Sequence, residues 1–106
     1  MRLLVFNVSS QYINKDPKCD FGHIVAGTKN YLRAKFTFSD EWTECVKVAS
    51  FWRGDKEEAV MLKSDGTCDI PPEILTGATF RVSVTGQRNG YRITTNKILV
   101  RQEVSR

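Results

Sequence analysis

The chain has few of the residues that build metal centres or catalytic sites, with one histidine and three cysteines among 106 residues. Cys19, Cys45 and Cys68 show no C-x-x-C spacing and come in an odd number, which argues against a zinc site and against a full disulfide framework. We therefore expect reduced and mostly buried thiols. No apolar run approaches the roughly 20 residues that span a bilayer, so no membrane association is expected.

Sequence motifs for nucleotide binding and for hydrolysis are also missing. The chain contains no G-x-G-x-x-G, no G-x-x-x-x-G-K-[ST] and no G-x-S-x-G pattern. The single histidine, His23, has only Asp20 as a nearby carboxylate, and a catalytic base needs an oriented partner within reach. The sequence therefore predicts no catalytic residues, no metal and no cofactor, and we do not expect an enzyme.

Length and composition are those of one globular domain covering residues 1–106, with 41% hydrophobic and 26% charged residues. The apolar start of the chain is interrupted at Asn7, short of the roughly 7–15 residues of a signal-peptide core, so we expect a cytoplasmic or virion protein. The net charge of +4 is compatible with an acidic partner. An excess of this size also serves solubility, so nucleic acid is not the expected partner.

Apolar and polar residues alternate with a period of two in residues 31–38, 80–85 and 91–95, the pattern of half-buried strands. Asn89 and Gly90 separate the last two segments and tolerate the positive φ angles of a tight turn. Residues 3–8, 46–52 and 98–104 are further short β segments.

A second hairpin is predicted from 60–63 to 67–70 across Asp65 and Gly66, and a single helical turn near 71–75. Residues 9–29 are expected to form a long loop with one short strand. Many short strands with almost no helix predict an all-β fold, a small barrel or, in our interpretation, a small antiparallel β-sandwich of immunoglobulin-like or jelly-roll-like type.

Strand alternation points several basic side chains away from the core. Arg81 faces outward on its strand, and Arg92 is expected nearby across the hairpin turn, with Lys97 and Arg101 extending the surface. This surface is either a contact site for an acidic partner or an ordinary solvated sheet face.

The two tryptophans receive different predictions. Trp42 follows a strand and precedes apolar residues, which favours a place in the core. Trp52 lies opposite Phe51 in the alternation, so one of the two must face outward, and an exposed Trp52 would mark an assembly interface. Acidic residues in two clusters are expected in turns: Asp40, Glu41, Glu44, Asp55, Glu57 and Glu58.

A family resemblance is carried by residues 31–42, then Lys47, Ala49 and Phe51, then 68–75, 80–86 and 92–96. Together these segments resemble the small β-sandwich domain of tail, baseplate and receptor-binding proteins of phages and prophages of Gram-positive bacteria. The resemblance implies a structural or adaptor module of a virion, of the kind found at the N-terminus of receptor-binding proteins. Such a module acts through protein contacts with other virion subunits, without catalysis, and the resemblance implies a homo-oligomer whose copies associate around a symmetry axis.

A second hypothesis takes the chain, which ends at Arg106, as a free-standing phage protein. Such a protein would bind and inhibit a host protein, for example a defence nuclease, in the manner of an anti-CRISPR protein. It would need a specific surface rather than an active site.

Overall fold

Nine strands in two packed sheets make up the part of the chain that the structure, a computed structural model, describes, namely residues 1–104. The strands, in chain order, are β1 (Arg2–Ser9), β2 (Tyr12–Lys15), β3 (Leu32–Phe38), β4 (Val46–Arg53), β5 (Lys56–Met61), β6 (Thr67–Asp69), β7 (Thr79–Arg88), β8 (Tyr91–Thr94) and β9 (Ile98–Arg101). Two short 3₁₀ turns, Asp40–Trp42 and Pro72–Thr76, lie between them. The expected helical turn near 71–75 is therefore confirmed, whereas the turn expected at Asp40, Glu41 and Glu44 contains a 3₁₀ helix that was not expected.

The first sheet has the strand order β2-β1-β3-β6, and the second has the order β5-β4-β7-β8, with β9 also paired to β7. The small all-β sandwich is thus confirmed. All strand pairs are antiparallel except β1 and β3, which run parallel from the pair Arg2 and Leu32 to the pair Val8 and Phe38. The long connection between these two strands makes a parallel arrangement possible, because parallel neighbours need a crossover rather than a tight turn.

The inward-facing side chains of both sheets form one continuous core. Each strand contributes every second residue, as the period of two requires. The largest fully buried side chains are Trp42, Phe6, Phe51, Phe80, Leu4, Ile13, Ile24, Ile74, Leu75, Val82, Val84 and Val100. Cys45 and Cys68 are buried and Cys19 is half-buried, all as free thiols. Burial raises the pKa of the Cys68 thiol to about 12, so this sulfur stays protonated.

The two predicted hairpins have different outcomes. The β7–β8 hairpin is confirmed, with positive φ at both Asn89 and Gly90. The hairpin from 60–63 to 67–70 is wrong, because β5 pairs with β4 in one sheet and β6 pairs with β3 in the other. The turn at Asp65 and Gly66 exists, but it carries the chain across the sandwich.

A hairpin that the sequence analysis missed joins β4 to β5 through Gly54 and Asp55. Gly54 has a φ of +60°, which suits the first central position of a two-residue hairpin loop. As a result, Glu57 and Glu58 lie in β5 and not in a turn, which corrects the expectation for these two acidic residues.

Trp42 lies in the core, as expected, with its side chain completely buried. Its indole N–H donates a hydrogen bond to the carbonyl oxygen of Ser10 over 2.9 Å, and its ring centroid lies 5.2 Å from that of Phe38. Gly86 of β7 packs directly against the indole, since a Cβ atom there would lie 2.8 Å from a ring carbon. Trp42 therefore ties the β1–β2 turn to the core.

Glu41, beside this tryptophan, accepts two short hydrogen bonds from hydroxyl groups. Ser10 Oγ and Ser39 Oγ each lie 2.6 Å from a carboxylate oxygen of Glu41. These bonds, first that of Ser10 and then that of Ser39, lower the pKa of Glu41 from 4.5 to about 2. The charged form of Glu41 thus helps to hold the β1–β2 turn against the turn that precedes β4.

The depressed pKa predicts a pH dependence of stability. The contribution of Glu41 is fully present above its ordinary pKa of 4.5 and is lost as the pH falls through its folded-state pKa of about 2. We expect the Tm difference between wild type and Glu41→Gln to be largest near neutral pH and to shrink below about pH 4. Thermal unfolding of both proteins across this range measures the effect. Glu73→Gln, which removes an exposed carboxylate without side-chain hydrogen bonds in residues 1–104, is the control. A Tm difference that stays constant down to about pH 2 would contradict the assignment.

One lateral side of the sandwich is held closed by hydrogen bonds between the sheets. Asn96 connects to the β1–β2 region, donating its N–H to Gln11 O over 3.2 Å and accepting from Ile13 N over 2.9 Å. Further along, Glu103 N–H donates to Ile24 O and Glu103 O accepts from Ala26 N–H. This closed side fixes the position of β9 and of the segment that leads into it.

The opposite lateral side is open. The pairing of β6 with β3 stops at Thr67 and Lys35, and it does not extend to Phe36 and Phe38. In the second sheet, β5 is the outermost strand. A groove of about 390 Å³ lies here, with Val46, Met61 and Lys63 among its lining residues. On this side the turn that leads from β5 to β6 carries the chain from the second sheet to the first.

Candidate functional site

The outward face of the five-stranded sheet carries four of the five residues predicted to bind a partner within a small area. Trp52 of β4 lies directly opposite Arg81 of β7, and Arg81 lies opposite Leu99 of β9. Arg101 pairs with Thr79, which places it diagonally from Arg81, about 7–8 Å away between Cα atoms. We call the surface formed by Trp52, Arg81, Lys97 and Arg101 the basic surface.

Trp52 lies flat on this surface and is only partly exposed. Its indole N–H donates a hydrogen bond to Ser83 Oγ over 3.2 Å, so the ring extends across β7 and covers Ser83. The ammonium nitrogen of Lys97 lies 3.7 Å from the centroid of the ring. At this distance the cation is attracted to the π face, which fixes both side chains in place.

The three cations of the basic surface have no acidic partner within residues 1–104. Ion pairs in this part of the chain are His23 with Glu103 and Arg33 with Asp69. Elsewhere arginines are used inside the fold: Arg2 donates to three carbonyl groups and Arg88 to one. Within residues 1–104 the guanidinium groups of Arg81 and Arg101 make no such bond, so their donors can serve an external ligand.

Arg92, the fifth predicted residue, does not belong to the basic surface. It pairs with Gln87 near the β7–β8 turn, six residues along β7 from Arg81, which is about 20 Å at the rise of an extended strand. It shares the outward face, as the alternation predicted, and is exposed. The sequence could not give this distance, because β8 and β9 pair with different halves of β7 and the register of each decides where its side chains lie.

The placement of Lys97 on Trp52 was not foreseen, although a signal for it existed. Lys97, Leu99 and Arg101 have the spacing i, i+2, i+4, which puts them on one face of a strand. The sequence does not show that β9 pairs with the first half of β7. Since β7 also pairs with β4, this pairing places β9 two strands away from Trp52.

Groups for catalysis do not converge on the basic surface. His23 lies in the segment before β3, with its ring 90% exposed and its Nδ1 3.1 Å from a carboxylate oxygen of Glu103. Among residues 1–104 no group of three or more His, Cys, Asp or Glu side chains is arranged to hold a metal ion. In the same residues no helix has the length and apolar character needed to cross a membrane. The chemistry that the basic surface offers is therefore the binding of anionic groups.

Comparison with known proteins adds no assignment, because the chain matches no protein-family model and no curated protein.

Proposed function

We propose that the chain is a non-enzymatic structural or adaptor module of a phage or prophage virion, a part of the tail tip or baseplate that works through protein contacts. The observation that carries this proposal is the basic surface, where two arginines and a lysine stand on one face of a sheet and have no acidic partner among residues 1–104. Complementary charges across an interface steer association and fix the register of the two partners, so this surface favours an acidic partner.

The proposed partner is an acidic surface of a neighbouring virion subunit. Arg81 and Arg101 can each bind a carboxylate through two parallel N–H donors, which gives orientation as well as attraction. Nucleic acid is less suited to this surface, because the indole N–H of Trp52 is used by Ser83 and its ring is covered by Lys97. Stacking of a base on Trp52 would first require Lys97 to move away.

Charge reversal on the basic surface tests the proposal. In the strain that carries the gene, we expect the chain to be found by mass spectrometry in purified particles. Arg81→Glu combined with Arg101→Glu should reduce its incorporation on the order of tenfold or more, since like charges would then face the acidic partner. The matched control is Lys18→Glu combined with Lys29→Glu, which changes the net charge equally at exposed positions away from the sheet.

The outcomes separate the two hypotheses on function. Absence of the wild-type chain from purified particles would overturn the virion assignment. If the wild type instead forms a complex with one host protein, and the Arg81 and Arg101 reversal abolishes that complex, the role of a host-directed inhibitor takes its place. Equal incorporation of both double variants would show that the basic surface is not the contact.

A further inference from the structure

The outermost strand of the second sheet, β5, is hydrogen-bonded on one side only. It pairs with β4 from Met61 to Lys56, and within residues 1–104 no strand pairs with its other side. The other lateral side of the sandwich is closed by Asn96 and Glu103, as described above. β5 is therefore the longest strand edge in the described chain that is open to a partner.

The backbone groups that face away from β4 can be identified from the ladder. Leu62 N–H donates to Lys47 O over 2.9 Å, so the even-numbered residues of this segment point their backbone groups toward β4. Because the direction alternates along an antiparallel strand, the N–H and C=O groups of Glu57, Ala59 and Met61 point outward from the edge. These groups are available for another strand.

The side chains along this edge are arranged so that two antiparallel copies of the strand would place opposite charges and apolar residues against each other. On the outward face of the sheet, Glu57 is followed by Ala59 and then by Met61, which is 65% exposed. Lys63 comes next and is also exposed. Neither Glu57 nor Lys63 has an ion-pair partner within residues 1–104. An acid, two apolar residues and a base thus stand at successive alternate positions.

We propose that two copies of this chain associate by antiparallel pairing of their β5 strands about a two-fold axis at Val60. In this register Ala59 lies opposite the partner's Met61, and Met61 lies opposite the partner's Ala59. These are the residues with outward-pointing backbone groups, so both pairs exchange hydrogen bonds. Glu57 lies opposite the partner's Lys63 at each end, and Val60 meets the partner's Val60 on the axis.

Neighbouring registers are less favourable. With the axis moved one residue to Ala59, Glu57 would face the partner's exposed Met61 and lose the lysine. With the axis at Glu58, that carboxylate would face the partner's Glu58, and like charges directly opposite each other are destabilising. The charges of Glu57 and Glu58 thus disfavour these two registers, and charged side chains on an edge strand also protect it against indiscriminate pairing.

The dimer is expected to be weak. Lys63 contributes only its side chain, because its own backbone groups are used in the turn with Gly66 and Thr67. Glu58 lies opposite the partner's Leu62, so its carboxylate has to remain in water at the edge of the sandwich. The paired segment, from Glu57 to Lys63, has seven residues in each copy, and such a short contact buries less area than a standard interface of about 1,600 Å². We therefore expect dissociation in the micromolar range or above.

Pairing in this way would join the two five-stranded sheets into one continuous sheet. Both copies of the basic surface would then lie on the same outward face. The proposal does not depend on the basic surface, and the reversal of Arg81 and Arg101 should leave the dimer intact.

Sedimentation velocity of the full chain, from about 1 µM to about 1 mM, tests the dimer. The wild type should show a concentration-dependent dimer, and both Glu57→Lys and Lys63→Glu should weaken it on the order of tenfold or more, because two opposite-charge pairs become like-charge pairs. An equimolar mixture of the two variants should form a heterodimer, since each lysine of one then faces a glutamate of the other. Ala59→Pro removes an outward N–H without removing a bond to β4 and should also abolish the dimer.

Circular dichroism and thermal unfolding establish that each variant is folded. A wild-type chain that stays monomeric over the whole range overturns the proposal. A dimer that persists in both single-charge variants, or a mixture that recovers no heterodimer, overturns the register and with it the proposed edge contact.

Discussion

Trp42→Ala is expected to lower the free energy of unfolding by about 3–5 kcal/mol, the usual cost of removing a buried large aromatic side chain. The side chain is completely buried and packs against Phe38 and Gly86. Gly86 offers no side chain that could move into the space, and the cavity would therefore persist. The carbonyl oxygen of Ser10 would also lose its donor. Because a domain of this size is stable by about 5–15 kcal/mol, we expect the variant to keep only a small part of its stability at ordinary temperature.

Urea unfolding followed by circular dichroism measures the change for Trp42→Ala. Trp42→Phe keeps most of the ring volume but removes the N–H, and it should cost about 1–3 kcal/mol, the combined effect of a lost hydrogen bond and a smaller ring in the core. Tyr12→Ala, at an exposed position on β2, is the control and should lie within about 0.5 kcal/mol of the wild type. A cost of less than about 1 kcal/mol for Trp42→Ala would contradict the role of Trp42 in joining the β1–β2 turn to the core.

Gly66→Ala is expected to destabilise the fold by about 2–4 kcal/mol, combining the cost of a left-handed backbone with that of a steric clash. Gly66 has a φ of +81°, and a Cβ atom there would lie 2.6 Å from the carbonyl oxygen of Phe36. Backbone atoms rather than a flexible side chain make this contact, and Phe36 N–H also donates to Gly66 O over 2.9 Å. Relief of the clash would therefore disturb the place where the chain crosses between the sheets.

Gly90→Ala provides the matched control for Gly66→Ala. Gly90 has a φ of +77°, but no atom lies within 4 Å of the position of a Cβ there. Gly90→Ala should therefore lower the free energy of unfolding only by the cost of a left-handed backbone, about 1–2 kcal/mol. The difference between the two variants in urea unfolding isolates the contact with Phe36. If both variants lose the same free energy of unfolding, the chain near Gly66 and Phe36 can adjust to a Cβ atom without loss of stability, and the predicted clash is wrong.

Local signals predicted the strands well. The alternation in residues 31–38 corresponds to β3, and that in 80–85 lies within β7, because a strand with one buried face requires apolar residues at every second position. Asn89 and Gly90 predicted the turn that the structure has, since few residues adopt positive φ. The place of Trp42 in the core also follows from its local sequence.

Pairing between distant strands was not predictable in the same way. The turn at Asp65 and Gly66 has the residues of a hairpin loop, but the residues on each side pair with β4 and β3 in different sheets. The Gly54 and Asp55 loop has a weaker signal and does form a hairpin. A tight turn reports the local backbone angles, whereas the choice of partner depends on which faces can be buried together.

In the candidate site, too, local patterns predicted which side chains face outward but not which of them lie together. Alternation alone pointed Arg81, Arg92 and Arg101 outward, and all three are exposed. Only the tertiary structure decided that Arg101 and Lys97 join Trp52 and Arg81 while Arg92 lies about 20 Å along the strand.

The sequence by itself determined the all-β class, most of the strands and the side chains that face outward, because period-two alternation and turn chemistry act over a few neighbouring residues. The tertiary structure decided the parallel pairing of β1 with β3, the separate sheets of β5 and β6, the contact of Lys97 with Trp52 and the unpaired edge of β5. These features depend on contacts between residues that are far apart in the chain. Their formation is governed by the burial of one shared core, which no local pattern specifies.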